Sequence, residues 1–593
     1  MNKQVEHQLK TELVQALQAV YQISAHDHEL TIEPTRSDFE GDYTFVVFPY
    51  IKAARTSPET LATAIGSHLI QHGLTVTQFN VVKGFLNLTL HTQVWLDALA
   101  SAAVQTNYGA AELRHQKVLI EYSSPNTNKP LHLGHIRNNL LGYSIAEVLK
   151  KAGYTVFTCN LINDRGIHIC KSMHAWMYFG NGETPESSGM KGDHLVGKYY
   201  VIFDTEYKKE INALVAQGKS EEEAKKIAPS ILKAQELLRK WEAGDEETIQ
   251  VWKTMNGWVY DGFESTYKKL GVSFDKYYYE SNTYLLGKDI VQQGLNKGVF
   301  YKKTDGSVWV DLTDDGLDHK LLLRGDGTSV YITQDIGTAE LKFTDFGCER
   351  SVYVVGNEQD YHFKVLQLIC RKLGRPYADG IYHMSYGMVE LPEGKMKSRE
   401  GTVVDADDLM HDMVLTAEET TLALGKTQGL EAGELTQLYE IIGMGALKYF
   451  LLKVDPRKKM LFNPAESIDF HGNTGPFIQY TYARIRSILR TVGDFNVQKI
   501  AAADIHPTER QLIKILGQYP IIVEEAAREM SPAVIANYSY DVAKAFNQFY
   551  HECPIVREPN EQTRHIRLIL CRLTGYVVQD AFSLLGINVP ERM

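Results

Sequence analysis

The sequence predicts a multidomain α/β chain: a parallel-sheet domain set between an N-terminal α+β unit and a C-terminal all-α bundle. Three observations carry this. The chain has 593 residues, more than one hydrophobic core can span, so several domains are expected. Strand-like and helical stretches alternate from residue 113 to about 404, the pattern of a parallel sheet with crossover helices. From about 405 the strand signals stop, and apolar residues recur at helical spacing to the end.

Composition bounds the rest. At 44% hydrophobic and 23% charged, the chain is ordinary globular protein. Its formal net charge of -11 gives no overall basic surface, so any nucleic-acid site must be a local basic face. No apolar run is long enough to predict a membrane span, and the opening MNKQVEHQLKTELVQAL reads as an amphipathic helix, not a secretory signal. Cys159, Cys170, Cys348, Cys370, Cys553 and Cys571 are scattered, without a CxxC pair. That argues against structural zinc and fits reduced thiols, so a cytoplasmic location is expected.

Residues 1–112 read as a helix near 3–22, a strand-like Glu29–Ile32, the run Gly41–Val47, a helix near 58–72, and a partly alternating stretch Phe79–Leu90. Such a unit suits a docking or RNA-contacting appendage, or a structural cap. In 113–404 the predicted strands are 117–122, 154–160, 351–355 and 380–386, with a helix over 133–150. Residues 181–250 are polar, charged and helical, and are read as an insertion with a solvated face. Helical periods then occupy 406–424, 433–453, 475–491, 507–530, 532–551 and 561–586, a bundle.

Residues 123–137 read SSPNTNKPLHLGHIR. His132 and His135, at i and i+3, share a helix face and sit past the carboxyl end of strand 117–122. Open α/β sheets bind nucleotides there. Gly134 lets a flat ligand such as adenine lie against the backbone, and the helix start favours phosphate. Two histidines near a helix start are by default polar surface; strand, turn, glycine, helix start and the adjacent Lys129 together set this pair apart. Past the last strand, Gly394–Gly401 carries Lys395, Met396, Lys397, Ser398 and Arg399. Alone it would be a solvated basic turn. Beside the histidines it is a loop that can close over a triphosphate. In the bundle, Gln479, Tyr480, Arg484 and Arg486 place aromatic and cationic groups together, as RNA bases require; the competing reading is an amphipathic helix with its tyrosines in the core.

His132-Leu133-Gly134-His135 resembles the HIGH motif of class I aminoacyl-tRNA synthetases, and 395–399 resembles a divergent KMSKS loop. The longer string Ser123-Ser124-Pro125-Asn126, Lys129-Pro130, HLGH and Arg137 is similar to arginyl-tRNA synthetases. So are Tyr331–Ile336, Gly356–Asp360, the Gln479–Arg486 helix, the ending Pro590–Met593 and Gly41-Asp42-Tyr43. The resemblance implies a Rossmann-like catalytic domain over 113–404, a tRNA-contacting N-terminal domain over 1–112 and an anticodon-binding region within 405–593. It implies ligation of L-arginine to tRNA(Arg) by way of an arginyl-adenylate, from ATP with Mg²⁺, by a monomer that needs bound tRNA to activate arginine.

On that resemblance His132 and His135 donate to the α-phosphate, Gly134 faces adenine, and Lys395, Lys397 and Arg399 clamp the other phosphates. The loop departs from the family pattern at Ser398, where a second lysine is usual. Lys129 or Lys397 would then supply the charge. Asp335 and Tyr331 would receive the guanidinium, with Gln359 nearby, and Asn126 and Glu121 would hold the amino-acid end. Other class I synthetases, such as the cysteinyl and glutamyl types, a nucleotidyltransferase, and a synthetase-like RNA-binding protein without activation are the alternatives. The cysteine spacing, the large helical half and the intact HLGH, respectively, weigh against the cysteinyl type, the nucleotidyltransferase and the RNA-binding protein; a glutamyl enzyme would need a cationic substrate pocket.

Overall fold

The computed structural model describes residues 2–36, 38–390, 404–425, 429–497, 500 and 503–593. Lys395, Met396, Lys397, Ser398 and Arg399 lie outside the described residues.

The N-terminal unit is an antiparallel sheet of β1 (Ile32–Pro34), β2 (Tyr43–Val46), β3 (Val76–Val82) and β4 (Phe85–Leu90), in the order β1-β2-β4-β3. Helices Asn2–Tyr21 and Pro58–His72 pack with it. The stretch expected from Phe79 to Leu90 is most of the hairpin Val76–Leu90. Lys83 (φ 50°) and Gly84 (φ 81°) make its two-residue turn, with Val82 opposite Phe85. Two successive positive-φ residues match the twist of the paired strands. The strand expected at Glu29–Ile32 starts later, because Asp27–Glu29 forms a 3₁₀ turn closed by Glu29 onto the His26 N–H.

Among the described residues the central sheet runs β12-β11-β5-β6-β7, all parallel. Its strands are β5 (Lys117–Glu121), β6 (Thr155–Ile162), β7 (Lys276–Tyr279), β11 (Arg350–Gly356) and β12 (Ile381–Tyr386). Strand β7 was not anticipated: Lys-Tyr-Tyr-Tyr shows no alternation, and it sits at the sheet edge. Between β7 and β11 lies a small antiparallel sheet of β8 (Phe300–Lys302), β9 (Val308–Val310) and β10 (Lys320–Leu323).

Helix Leu133–Lys151 follows β5 and is buried along most of its length. Gly142 lets it lie on the Tyr122 ring; a Cβ there would come within 2.2 Å of that ring. Arg137 is fully buried. Its guanidinium donates to the carbonyls of Gly387, Pro456 and Lys458, so this helix is bolted to the far half of the domain.

The insertion is helical, as expected, but not simply solvated. Helix Gly192–Ala216 buries its first turns, and helix Glu246–Leu270 runs unbroken from the insertion back to the sheet. The C-terminal bundle contains helices Ala406–Ala423, Ala432–Leu452, Gly475–Val492, Pro532–Glu552 and Glu561–Leu584. The helical period at 507–530 is two helices, Pro507–Gly517 and Tyr519–Glu529. Pro520 has no N–H to continue the first and suits the first turn of the second.

Candidate active site

The HLGH segment builds its own geometry. His132 is the N-cap of the Leu133–Lys151 helix, not a helical residue. Its Nδ1 accepts the Gly134 N–H at 3.1 Å, while His135 Nδ1 accepts the His132 N–H at 3.2 Å. This is a capping box made of histidines. Because each Nδ1 is an acceptor, each neutral ring carries its proton on Nε2. The two rings lie 3.9 Å apart, so two Nε2–H donors are presented together. Burial, with the Lys129 charge second, lowers His132 to about 4. Burial, then His132 and Lys129, holds His135 well below the ordinary imidazole range. Both rings are therefore neutral donors near pH 7. Gly134 is needed here for the histidine itself: a Cβ would stand 2.9 Å from the His132 ring.

The turn before this segment is tightly held. Ser123 and Ser124 both have positive φ, 72° and 44°. Asn138 fixes the turn from the helix, accepting from the Ser123 N–H and donating to the Val354 carbonyl. Asn160 at the end of β6 accepts the Ser124 N–H. Strained backbone held from several sides is typical of binding sites.

A cleft of about 340 Å³ opens beside the turn. Asn126, Asn163, Arg165, Glu280, Arg324, Tyr331 and Gln334 are among its walls. Asn126 and Tyr331 thus line one cavity. Tyr331 is 76% exposed, so core packing does not explain it. Asp335 lies one turn further along the Tyr331–Phe346 helix, with His362 Nε2 at 2.6 Å. Gln359 is exposed, at the residue before helix Asp360–Lys372.

Glu280 escaped the sequence reading. It follows β7 at the sheet's carboxyl edge. Burial raises it to about 7; Arg165 opposes, while Asp164 and Asp335 add to the rise. Asp164, just past β6, is buried and accepts from the Ser281 N–H, the Ser281 hydroxyl and Tyr260. It thereby fixes the residue next to Glu280. Arg165 lies over the Tyr284 ring at 3.9 Å and pairs with Glu242 at 2.7 Å. The signal that would have found Glu280 is its place at a strand's carboxyl end, had β7 been recognised.

Two expected contacts are corrected. Glu121 does not face the cleft: it is buried in an ion pair with Lys342, itself 2% exposed. Gln479 is fully buried and donates to the carbonyls of Ile441 and Asn588, so it cannot meet RNA. Its neighbours also serve the fold. Arg484 contacts Asn547 and lies between the Tyr480 and Tyr550 rings. Arg486 pairs with Glu591 at 2.7 Å.

The flank of the cationic loop reaches the histidines. Val404 accepts the Leu133 N–H, Leu131 accepts the Ala406 N–H, and Asp405 is bridged to His132. Residues 404–406, which follow Lys395–Arg399 in sequence, therefore run alongside HLGH.

Comparison with known proteins accords with this geometry. The family described as tRNA synthetases class I (R), catalytic domain, matches residues 98–463. The DALR anticodon binding domain matches 478–593, and the arginyl tRNA synthetase N terminal domain 7–90. The arginine–tRNA ligase of Bacteroides thetaiotaomicron is 54% identical over 99% of this chain and 100% of that protein. That of Porphyromonas gingivalis is 53% identical over 99% of each. The Thermus thermophilus arginyl-tRNA synthetase structure shares the fold, with a TM-score of 0.78 at 24% identity, covering 99% of both chains. The chain belongs to the arginyl-tRNA synthetase family of class I aminoacyl-tRNA synthetases.

Proposed function

We propose that this chain ligates L-arginine to tRNA(Arg), using ATP with Mg²⁺ and passing through an arginyl-adenylate. The observation that carries the reading is the pairing of two elements at one sheet edge. Two neutral Nε2–H donors stand at a helix N-terminus, and a cleft lined by Glu280, on which Asp335 acts by its charge, opens at the turn that precedes them. The donors suit the α-phosphate, and the carboxylates suit a guanidinium, which is planar and always cationic.

In the first step an arginine carboxylate oxygen attacks the α-phosphorus and pyrophosphate leaves. No protein nucleophile is needed; positioning and charge stabilisation supply the acceleration. His132 and His135 donate to the non-bridging oxygens as charge gathers there, and Gly134 leaves the backbone open to adenine. Lys129 depresses both histidines by its charge. Its place just before HLGH, with a charge that acts on both rings, supports it as the substitute for the lysine missing at Ser398. Lys395, Met396, Lys397, Ser398 and Arg399 would cover the β- and γ-phosphates, and the metal enters with the nucleotide. Glu280 and Asp335 receive the guanidinium against the Tyr331 ring, and Asn126 and Gln359 lie toward the amino-acid end. In the second step a ribose hydroxyl of the tRNA's terminal adenosine attacks the acyl carbon and AMP leaves. The region 478–593 would read the anticodon and the N-terminal unit the outer corner of the tRNA.

ATP–pyrophosphate exchange tests the reading. Exchange is expected with arginine alone among the amino acids, and chiefly with tRNA present; exchange with another amino acid overturns it. Lys129→Ala should slow adenylate formation more than Lys397→Ala, and the reverse order assigns the missing charge to the loop.

A further inference from the structure

The inserted helix Gly192–Ala216 touches the two stretches that flank the HLGH segment in space, Lys129–Pro130 and residues 405–407. Upstream, Gly197 rests its backbone on Lys129–Pro130: a Cβ there would stand 2.7 Å from Pro130 Cδ and 3.7 Å from Lys129 Cα. Downstream, the start of the helix forms an ionic joint with residues 405–407. Lys191 Nζ lies 2.5 Å from Asp407 Oδ2, 3.2 Å from Asp193 Oδ2 and 2.5 Å from Thr266 Oγ1. His194 Nε2 lies 3.3 Å from Asp405 and 3.4 Å from Asp407, and Lys269 faces Asp407 at 3.8 Å.

Asp193, His194 and Asp407 have the spacing of metal ligands, but the Lys191 ammonium already stands among the two carboxylates. The group is a joint, not a cation site in waiting. Its placement is not explained by the helix it starts. A lysine at a helix N-terminus faces the positive end of the dipole, and Asp193 is completely buried. Asp193 alone would answer Lys191; Asp407, from a distant part of the chain, is brought in as well. Burial pushes the Asp407 carboxyl up, yet His194 and Lys191 outweigh it and hold it well below the usual carboxylate range.

The joint bears on chemistry through Asp405. Its side chain accepts the Asp407 and Asp408 N–H groups, capping helix Ala406–Ala423, and faces His194. Its backbone is bridged to His132, with hydrogen bonds to Leu131 and Leu133 on either side. A displacement of the inserted helix therefore moves residues 404–406, and with them the capping histidine that donates to phosphate.

We infer that Lys191, His194, Asp405 and Asp407 are positioning residues for adenylate formation, through which the inserted helix sets the place of the His132 and His135 donors. This rests on reading those histidines as the phosphate donors. None of the four touches a reacting atom, and none lines the cleft that holds Glu280 and Tyr331; they act on ATP, not on arginine.

Steady-state ATP–pyrophosphate exchange with saturating tRNA tests it on the full chain. Asp407→Asn keeps the shape and removes the charge. We expect kcat/KM for ATP to fall about tenfold or more, as a small misplacement of reacting groups does, with the KM for arginine nearly unchanged. Lys191→Met should match it, and Lys191→Arg should recover most of the loss. A purely structural role predicts instead a lower Tm with both KM values unmoved well below the transition. Unmoved ATP kinetics in the folded variant, or equal changes for ATP and arginine, overturn the inference. Should Asp407→Asn fail to fold, His194→Gln, at the accessible rim of the joint, decides on the same criterion. His132→Asn separates the two levels. If it leaves exchange intact, the phosphate site itself is misread; if it is impaired while Asp407→Asn is not, only the positioning role falls.

Discussion

Glu280 and His132 show opposite uses of burial. Burial keeps His132 neutral, with its fixed Nε2–H ready for an anion. The folded-state value lies below the unfolded one, so its contribution to stability is complete above about 6.5 and is lost as pH falls toward 4. His132→Gln should remove that part of the acid slope in urea denaturation. Burial raises Glu280 to about 7, so in the empty cleft it is only partly ionised at neutral pH. A guanidinium requires the carboxylate. The KM for arginine should therefore rise as pH drops through 7, approaching about tenfold per pH unit, while the KM for ATP does not follow it. Glu280→Gln should flatten the profile and raise the KM for arginine by about 10- to 100-fold at pH 8, the worth of a charge-assisted hydrogen bond. An unchanged arginine KM in Glu280→Gln would remove it from the pocket.

At the scale of elements, helix Leu133–Lys151 is held by distant carbonyls as well as by its own buried residues. Arg137 ties it to Gly387, Pro456 and Lys458, and burial lowers the guanidinium to about 10. Arg137→Met should destabilise the enzyme by about 3 kcal/mol or more, since three buried carbonyls lose a charged donor; a denaturant midpoint within error of wild type would refute this. The same helix shows what is legible in sequence. HLGH could be read because strand, turn, glycine and helix start are contiguous, and the parallel sheet because helices and strands alternate. The histidine capping box was not legible, since spacing places both rings on one face without saying that each Nδ1 accepts a backbone N–H. Glu121 was misread because its partner, Lys342, belongs to a helix more than 200 residues away in sequence, and Gln479 because buried glutamines and RNA-binding ones look alike in a string. Strand β7 lacks alternation, so Glu280 was lost with it.

The molecule as a whole joins its N-terminal sheet to the helical region that matches the DALR anticodon binding domain, while carrying a net charge of -11. One joint between them is Asp42, in the Gly41-Asp42-Tyr43 string. Its carboxylate is buried at 6% exposure of the residue, accepts the Leu90 N–H at 2.7 Å, and faces Lys514 at 2.5 Å and Arg510 at 3.3 Å. Arg510 also donates to the Leu90 carbonyl and the Thr92 hydroxyl. Nearby, the Tyr108 hydroxyl donates to the Leu516 carbonyl. These contacts join the N-terminal sheet directly to helix Pro507–Gly517 of the bundle, bypassing the catalytic sheet. The two cations reach solvent, which screens the loss, so Asp42→Asn should cost on the order of 1–3 kcal/mol. Its kinetic effect should fall on RNA alone. If the N-terminal unit meets the tRNA as proposed, loosening it against the anticodon-binding region lowers the effective concentration of the second contact once the first has formed. The KM for tRNA should rise several-fold, while arginine and ATP constants measured at saturating tRNA stay as they were. A variant that loses stability but keeps its tRNA KM would make Asp42 a strut of the N-terminal fold, with no part in setting the distance between the two tRNA contacts.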